Sequence, residues 1–100
     1  MTSRVKLETS ETISEPKVVL KNSDMEQSKL EQTFQIAKEA ISRFKVEKDV
    51  AAFIKKELDK NFGEYWHCVV GKSFGSYVTH VSGAFAYFYV DQLAVMVFKA

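Results

Sequence analysis

The chain has 100 residues, a length that holds one hydrophobic core and leaves no room for a second. Hydrophobic residues make up 46% of it and aromatic residues 13%, enough to build that core without disulfides or metal. Fourteen Lys and Arg against thirteen Asp and Glu leave a formal net charge of +1, which excludes the strong field that recruits nucleic acid or an anionic membrane surface.

Residues 1–17 are rich in Ser, Thr, Glu and Lys, hold the sole proline, Pro16, and carry no sustained apolar period, so a disordered tail is expected there and a folded domain over 18–100. The first six residues lack the apolar stretch of a secretory signal, and a lone cysteine, Cys68, cannot close a disulfide within the chain. Both point to the cytoplasm. Val18, Val19 and Leu20 predict a short edge strand, and Asp24 followed by Gln27 matches a capping box at a helix start. Leu30, Phe34, Ala37, Ile41 and Phe44 recur at spacings of three and four, which predicts an amphipathic helix over 25–44. A second helix is expected over 47–62, where Val50, Phe53, Ile54, Leu58 and Phe62 share a face and Gly63 supplies the left-handed terminator. Only a short turn fits between the two helices, so they pack against each other.

After Gly63 the period changes to two. Strands are expected at 66–70, 74–79, 85–90 and 93–98, with Gly71 and Gly75 marking bends. The run 81–98 holds a single charge but is no membrane span, because Ser82, Gly83, Asp91 and Gln92 interrupt it; two buried strands joined at Asp91-Gln92 fit better. The plan is β-α-α-β-β-β-β, an α+β fold with two helices packed on one face of an antiparallel sheet.

His67, Cys68 and His80 invite a catalytic reading, since a Cys-His pair is the minimum for thiolate chemistry. Adjacent strand residues point to opposite faces, however, so His67 and Cys68 diverge, and Cys68 joins Trp66 and Val70 as a small core residue. Two histidines and one cysteine without paired spacing do not form a zinc site. The segment Gly71-Lys72-Ser73-Phe74-Gly75 lacks phosphate-loop spacing and leads into a strand, not a helix. No catalytic residue, metal or cofactor is expected. Two rivals remain open at this point, an enzyme using His80 with Cys68 and a monomeric structural domain without a ligand groove.

The strands carry more aromatic and polar side chains than one core needs. Alternation assigns Phe85, Tyr87 and Tyr89 to one sheet face and Ala86, Phe88 and Val90 to the other, so both faces bear large rings. Two helices cover one face only. The other predicts a dimer, a peptide groove, or both.

The string 66–80, Trp-His-Cys-Val-Val-Gly-Lys-Ser-Phe-Gly-Ser-Tyr-Val-Thr-His, resembles the signature of dynein light chains of the light-chain-eight class. The likeness extends upstream through Val46-Glu47-Lys48-Asp49-Val50 and Ile54-Lys55-Lys56-Glu57, and downstream through Phe85, Tyr87-Phe88-Tyr89 and Phe98-Lys99, covering 18–100. This resemblance implies a non-catalytic, strand-exchanged homodimer with two symmetric grooves, each taking a short extended peptide as an added strand. The implied partners are the dynein intermediate chain and other proteins with Thr-Gln-Thr-like motifs, and the implied location is cytoplasmic and microtubule-associated. No nucleic acid, membrane span or cofactor is implied.

Carried over by position, the implied peptide-binding residues are Lys72, Ser73, Phe74, Gly75, Ser76, Tyr77, Val78, Thr79 and His80 along one strand, Phe85, Tyr87 and Tyr89 as the aromatic floor, and Glu47 and Lys48 at the second helix start. The implied dimer interface holds His67, Lys72, Phe74, Ser76, Tyr77, Val78 and Thr79. Phe53, Ala84, Tyr65 and Asp91 depart from the residues usual in the family.

Overall fold

A computed structural model describes residues 16–100. The tail expected over 1–17 lies, apart from Pro16 and Lys17, outside the described residues. In chain order the elements are β1 (Val18–Ser23), α1 (Gln27–Arg43), α2 (Glu47–Phe62), β2 (Trp66–Gly71), β3 (Phe85–Val90) and β4 (Leu93–Lys99). The four strands form one antiparallel sheet in the order β1-β3-β4-β2.

Both helices lie where the apolar period put them. α2 spans the predicted residues and ends at Gly63, whose φ of 84° is a conformation that side chains rarely adopt. α1 turns Leu30, Thr33, Ala37 and Ala40 inward, while α2 contributes Val50, Ile54 and Leu58. Among the described residues Thr33 is the one buried polar side chain, and its hydroxyl donates to the Lys29 carbonyl at 2.9 Å. The sheet answers with Trp66, Ala86, Phe88, Val90, Val95 and Val97, all in the same core. Phe88 is fully buried and meets Phe34 edge-on, with ring centroids 4.9 Å apart.

The capping box expected at Asp24 is not formed. α1 begins at Gln27 without a side-chain cap, and the Gln27 amide donates instead to Glu31. The Asp24 carboxylate lies too far upstream of the first turn and accepts from the backbone N–H groups of Gly83, at 2.8 Å, and Phe85, at 3.1 Å. It thereby ties the entry of α1 to the start of β3.

The two-residue turn at Asp91-Gln92 is present, with Val90 opposite Leu93 and Asp91 at a φ of 52°. Aspartate tolerates this left-handed conformation better than most residues. Its N–H donates to the Lys17 carbonyl and its carboxylate accepts the Lys17 N–H, so the start of the described chain is fastened to the hairpin.

Of the strands expected after Gly63, three stand within a residue of the predicted bounds. The fourth, at 74–79, pairs with no strand among the described residues. The chain bends at Lys72 and Ser73, leaves the β2 edge, and crosses the sheet face away from the helices. No backbone–backbone hydrogen bond joins residues 72–80 to the rest of the described chain.

Candidate functional site

The sheet face opposite the helices is built by alternation along three strands. β2 places His67 and Val69 there, β3 places Phe85, Tyr87 and Tyr89, and β4 places Ala94, Met96 and Phe98. Cys68 faces the other way, into the core, as its alternation required, and burial pushes its thiol up to about 12. At neutral pH it is therefore a neutral thiol, unsuited to nucleophilic attack.

Residues 72–81 lie across this second face. Ser76 donates its hydroxyl to the Met96 sulfur at 3.2 Å, and the Phe74 ring sits 5.9 Å from Tyr87. Tyr87 and Tyr89 follow at 6.1 Å, and a hydrogen bond between them, aided by burial, holds the Tyr87 hydroxyl above the usual tyrosine range. Lys21 extends over Tyr89 with its Nζ 5.7 Å from the ring centroid, a cation–π contact from β1. His80 stacks on Phe85 at 4.9 Å, and its Nδ1 bonds the Val81 carbonyl at 2.9 Å, which requires the proton on that nitrogen. The structure thus brings Phe74, Ser76, His80, Phe85, Tyr87 and Tyr89 onto one surface.

Other expected residues stand apart. Lys72, Ser73, Gly75, Tyr77 and Thr79 are exposed, Tyr77 completely, while Val78 is half-buried. A Cβ built on Gly75 would meet no heavy atom within 4 Å. His67 is exposed, with its ring 5.3 Å from Phe98. Glu47 and Lys48 are exposed at the start of α2, a terminus with no side-chain cap; no hydrogen bond, ion pair or ring contact among the described residues links either to residues 72–80.

A cleft of about 270 Å³ opens between Asn22, Ser23 and Asp24 on one side and Ser76, Tyr77, Val78 and His80 on the other. Its β1 wall was not anticipated. Asp24 had been assigned to a helix cap, and nothing local distinguishes a capping aspartate from one serving a distant turn. Met96 was also missed, although its place two residues before Phe98 sets it on the outer face by the same alternation.

Among the described residues no cluster of three His, Cys, Asp or Glu could hold a metal ion, and no helix is long and apolar enough to cross a membrane. A family model for dynein light chain type 1 matches residues 17–100, that is, every described strand and helix. The chain belongs to the dynein light chain family. It is 50% identical over 91 residues to dynein light chain 1, cytoplasmic, of Debaryomyces hansenii, an overlap of 91% of this light chain and 98% of that one. Its fold is that of the dynein light chain-like domain of a Fasciola hepatica calcium-binding protein, with a TM-score of 0.71 at 20% identity over 90% of this chain and 99% of that one. This light chain is accordingly a dynein subunit of the cytoplasm and its microtubule system, from a family that is generally non-enzymatic.

Proposed function

We propose that this light chain works as a non-catalytic homodimer that holds two partner peptides side by side, each added as a strand in one of two symmetric grooves. The observation that carries this reading is the pair of unsatisfied edges in a single chain. Residues 72–80 are strand-like in sequence yet make no backbone hydrogen bond to the rest of the described residues, and β2 lies at the edge of the described sheet with one side open. A second copy answers both, its own residues 74–79 pairing with this β2 edge while the segment here pairs with the copy's. Exposed Tyr77 and the half-covered aromatic face around Tyr87 then meet their mates across the two-fold axis.

The far edge of the exchanged strand is left for a guest. Backbone hydrogen bonds supply affinity there and side-chain pockets supply specificity. Gly75 lets the guest backbone approach, and the uncapped first turn of α2 at Glu47 and Lys48 offers free N–H groups to a carbonyl such as that of glutamine. The guests proposed are the dynein intermediate chain and other proteins with Thr-Gln-Thr-like motifs. Two weak chains held together gain avidity without new chemistry. Sedimentation equilibrium of the full chain, alone and with a Thr-Gln-Thr peptide, tests both parts. A dimer binding two peptides is expected; a monomer at micromolar concentration would overturn the exchange, and a dimer that takes no peptide would overturn the groove.

A further inference from the structure

The proposed guest strand has a direction, and one end of its path carries an unpaired charge. Phe74 lies against Tyr87 and His80 against Phe85, so residues 74–80 run antiparallel to β3. Antiparallel pairing makes the more stable ladder, so a guest beside this segment runs with β3, from Phe85 toward Tyr89. The cleft between residues 22–24 and 76–80 places that path on the β1 side of the segment. Residues that follow the motif then reach a second hollow, of about 250 Å³, lined by Val19, Lys21, Tyr89 and Asp91.

We propose that this hollow is a specificity subsite for an acidic side chain, Asp or Glu, following the motif, with the Lys21 ammonium as its direct partner. The inference rests on the groove proposed above and adds the class of residue that its far end selects. Among the described residues no hydrogen bond or ion pair holds the Lys21 ammonium, which lies 5.7 Å from the Tyr89 ring centroid. The ring orients the cation yet leaves its N–H donors to water. Asp91 directs its carboxylate to the Lys17 N–H at 2.9 Å and, among the described residues, makes no ion pair.

Charge around the hollow points the same way. Val19, Tyr89, Ala94 and Gly71 form one row across the sheet, and Lys72 follows Gly71 at its far end. Lys17, Lys21 and Lys72 against Asp91 leave this end of the groove positive, which favours an acid over an amide or a base. Val19 and Tyr89 supply an apolar floor for the methylenes of that side chain, and Lys21 stands over it.

The test is calorimetry on the full chain with four peptides that share one Thr-Gln-Thr core. Three carry Glu-Glu, Gln-Gln or Lys-Lys directly after the core, and the fourth carries Glu-Glu before it and Gln-Gln after. Paired residues are used because neighbours on a strand face opposite ways, so one of each pair meets the floor. At low salt the wild type should bind the peptide with Glu-Glu after the core about three- to fivefold tighter than the Gln-Gln peptide, as a single exposed ion pair allows, and the Lys-Lys peptide weakest. In the variant Lys21→Glu, a substitution at an exposed position, that preference should vanish or reverse while the Gln-Gln peptide still binds. Affinity independent of the flank in the wild type would overturn the subsite. So would an unchanged order in the variant, or a larger gain from Glu-Glu placed before the core. Failure of all four peptides to bind the wild type would refute the groove itself, and the subsite with it.

Discussion

Replacing Gly75 with valine separates the proposed peptide groove from the fold that would carry it. Gly75 is exposed, its backbone lies outside the left-handed region, and a Cβ there would touch nothing within 4 Å, so the chain itself has room for the new side chain. Stability should change by less than about 1 kcal/mol, since valine is at home in extended backbone and lowers the freedom of the unfolded state. A guest strand would fare differently. A branched Cβ where its backbone must lie displaces about two ladder hydrogen bonds, each worth about 1 kcal/mol, and adds steric strain. A loss of about 2–3 kcal/mol is some 30- to 150-fold in affinity. Calorimetry with a Thr-Gln-Thr peptide should read that loss, while thermal unfolding and sedimentation of the variant match the wild type. Equal affinity for both proteins would mean that no peptide backbone passes this position. A variant that has become monomeric would instead place Gly75 against the partner copy.

Phe88→Ala should cost about 3–5 kcal/mol in urea unfolding, because Phe88 is fully buried and supports Phe34 from the sheet side. Cys68 should resist iodoacetamide at pH 8 in the native protein and react once unfolded, given a thiol pushed up to about 12; rapid native alkylation would contradict its inward placement. The Asp59 carboxyl is held below its ordinary value by the Lys55 ammonium and the Trp66 N–H, so the stability it contributes is present above about pH 4 and lost as pH falls through the lower folded value. Asp59→Asn should therefore melt below wild type at pH 7, with the gap closing in acid; a gap independent of pH would remove the charge from the account.

Much of the fold was legible because each element obeys one strong local period. Val50, Ile54 and Leu58 repeat at helical spacing and are buried at those positions, and the alternation of 85–90 reappears as alternating burial along β3. Gly63 was readable for a similar reason, since few other residues reach its φ. What escaped depends on partners far away in sequence. Asp24 has the local marks of a helix cap, yet its hydrogen bonds run to residues 59 and 61 positions later. Ala40 and Thr33 lie in the core for a related reason, because the closeness of α2 and the sheet widens the buried stripe of α1 beyond the large apolar residues.

The candidate site was legible to a different degree. Residue type and alternation placed the rings of Phe85, Tyr87 and Tyr89 on one face, but no local pattern says what covers them. Residues 74–79 pose the complementary question, since their alternation fits a strand and the described residues provide no ladder for it. A sequence whose local preference conflicts with its surroundings is destabilised, unless the missing half of the interaction comes from outside. The two mismatches here have the same shape. One is an aromatic face half covered, the other a strand without a neighbour, and both belong to the sheet face away from the helices. In the proposed dimer a second copy of the chain would resolve them together, and the exchanged strand would keep one edge for a peptide.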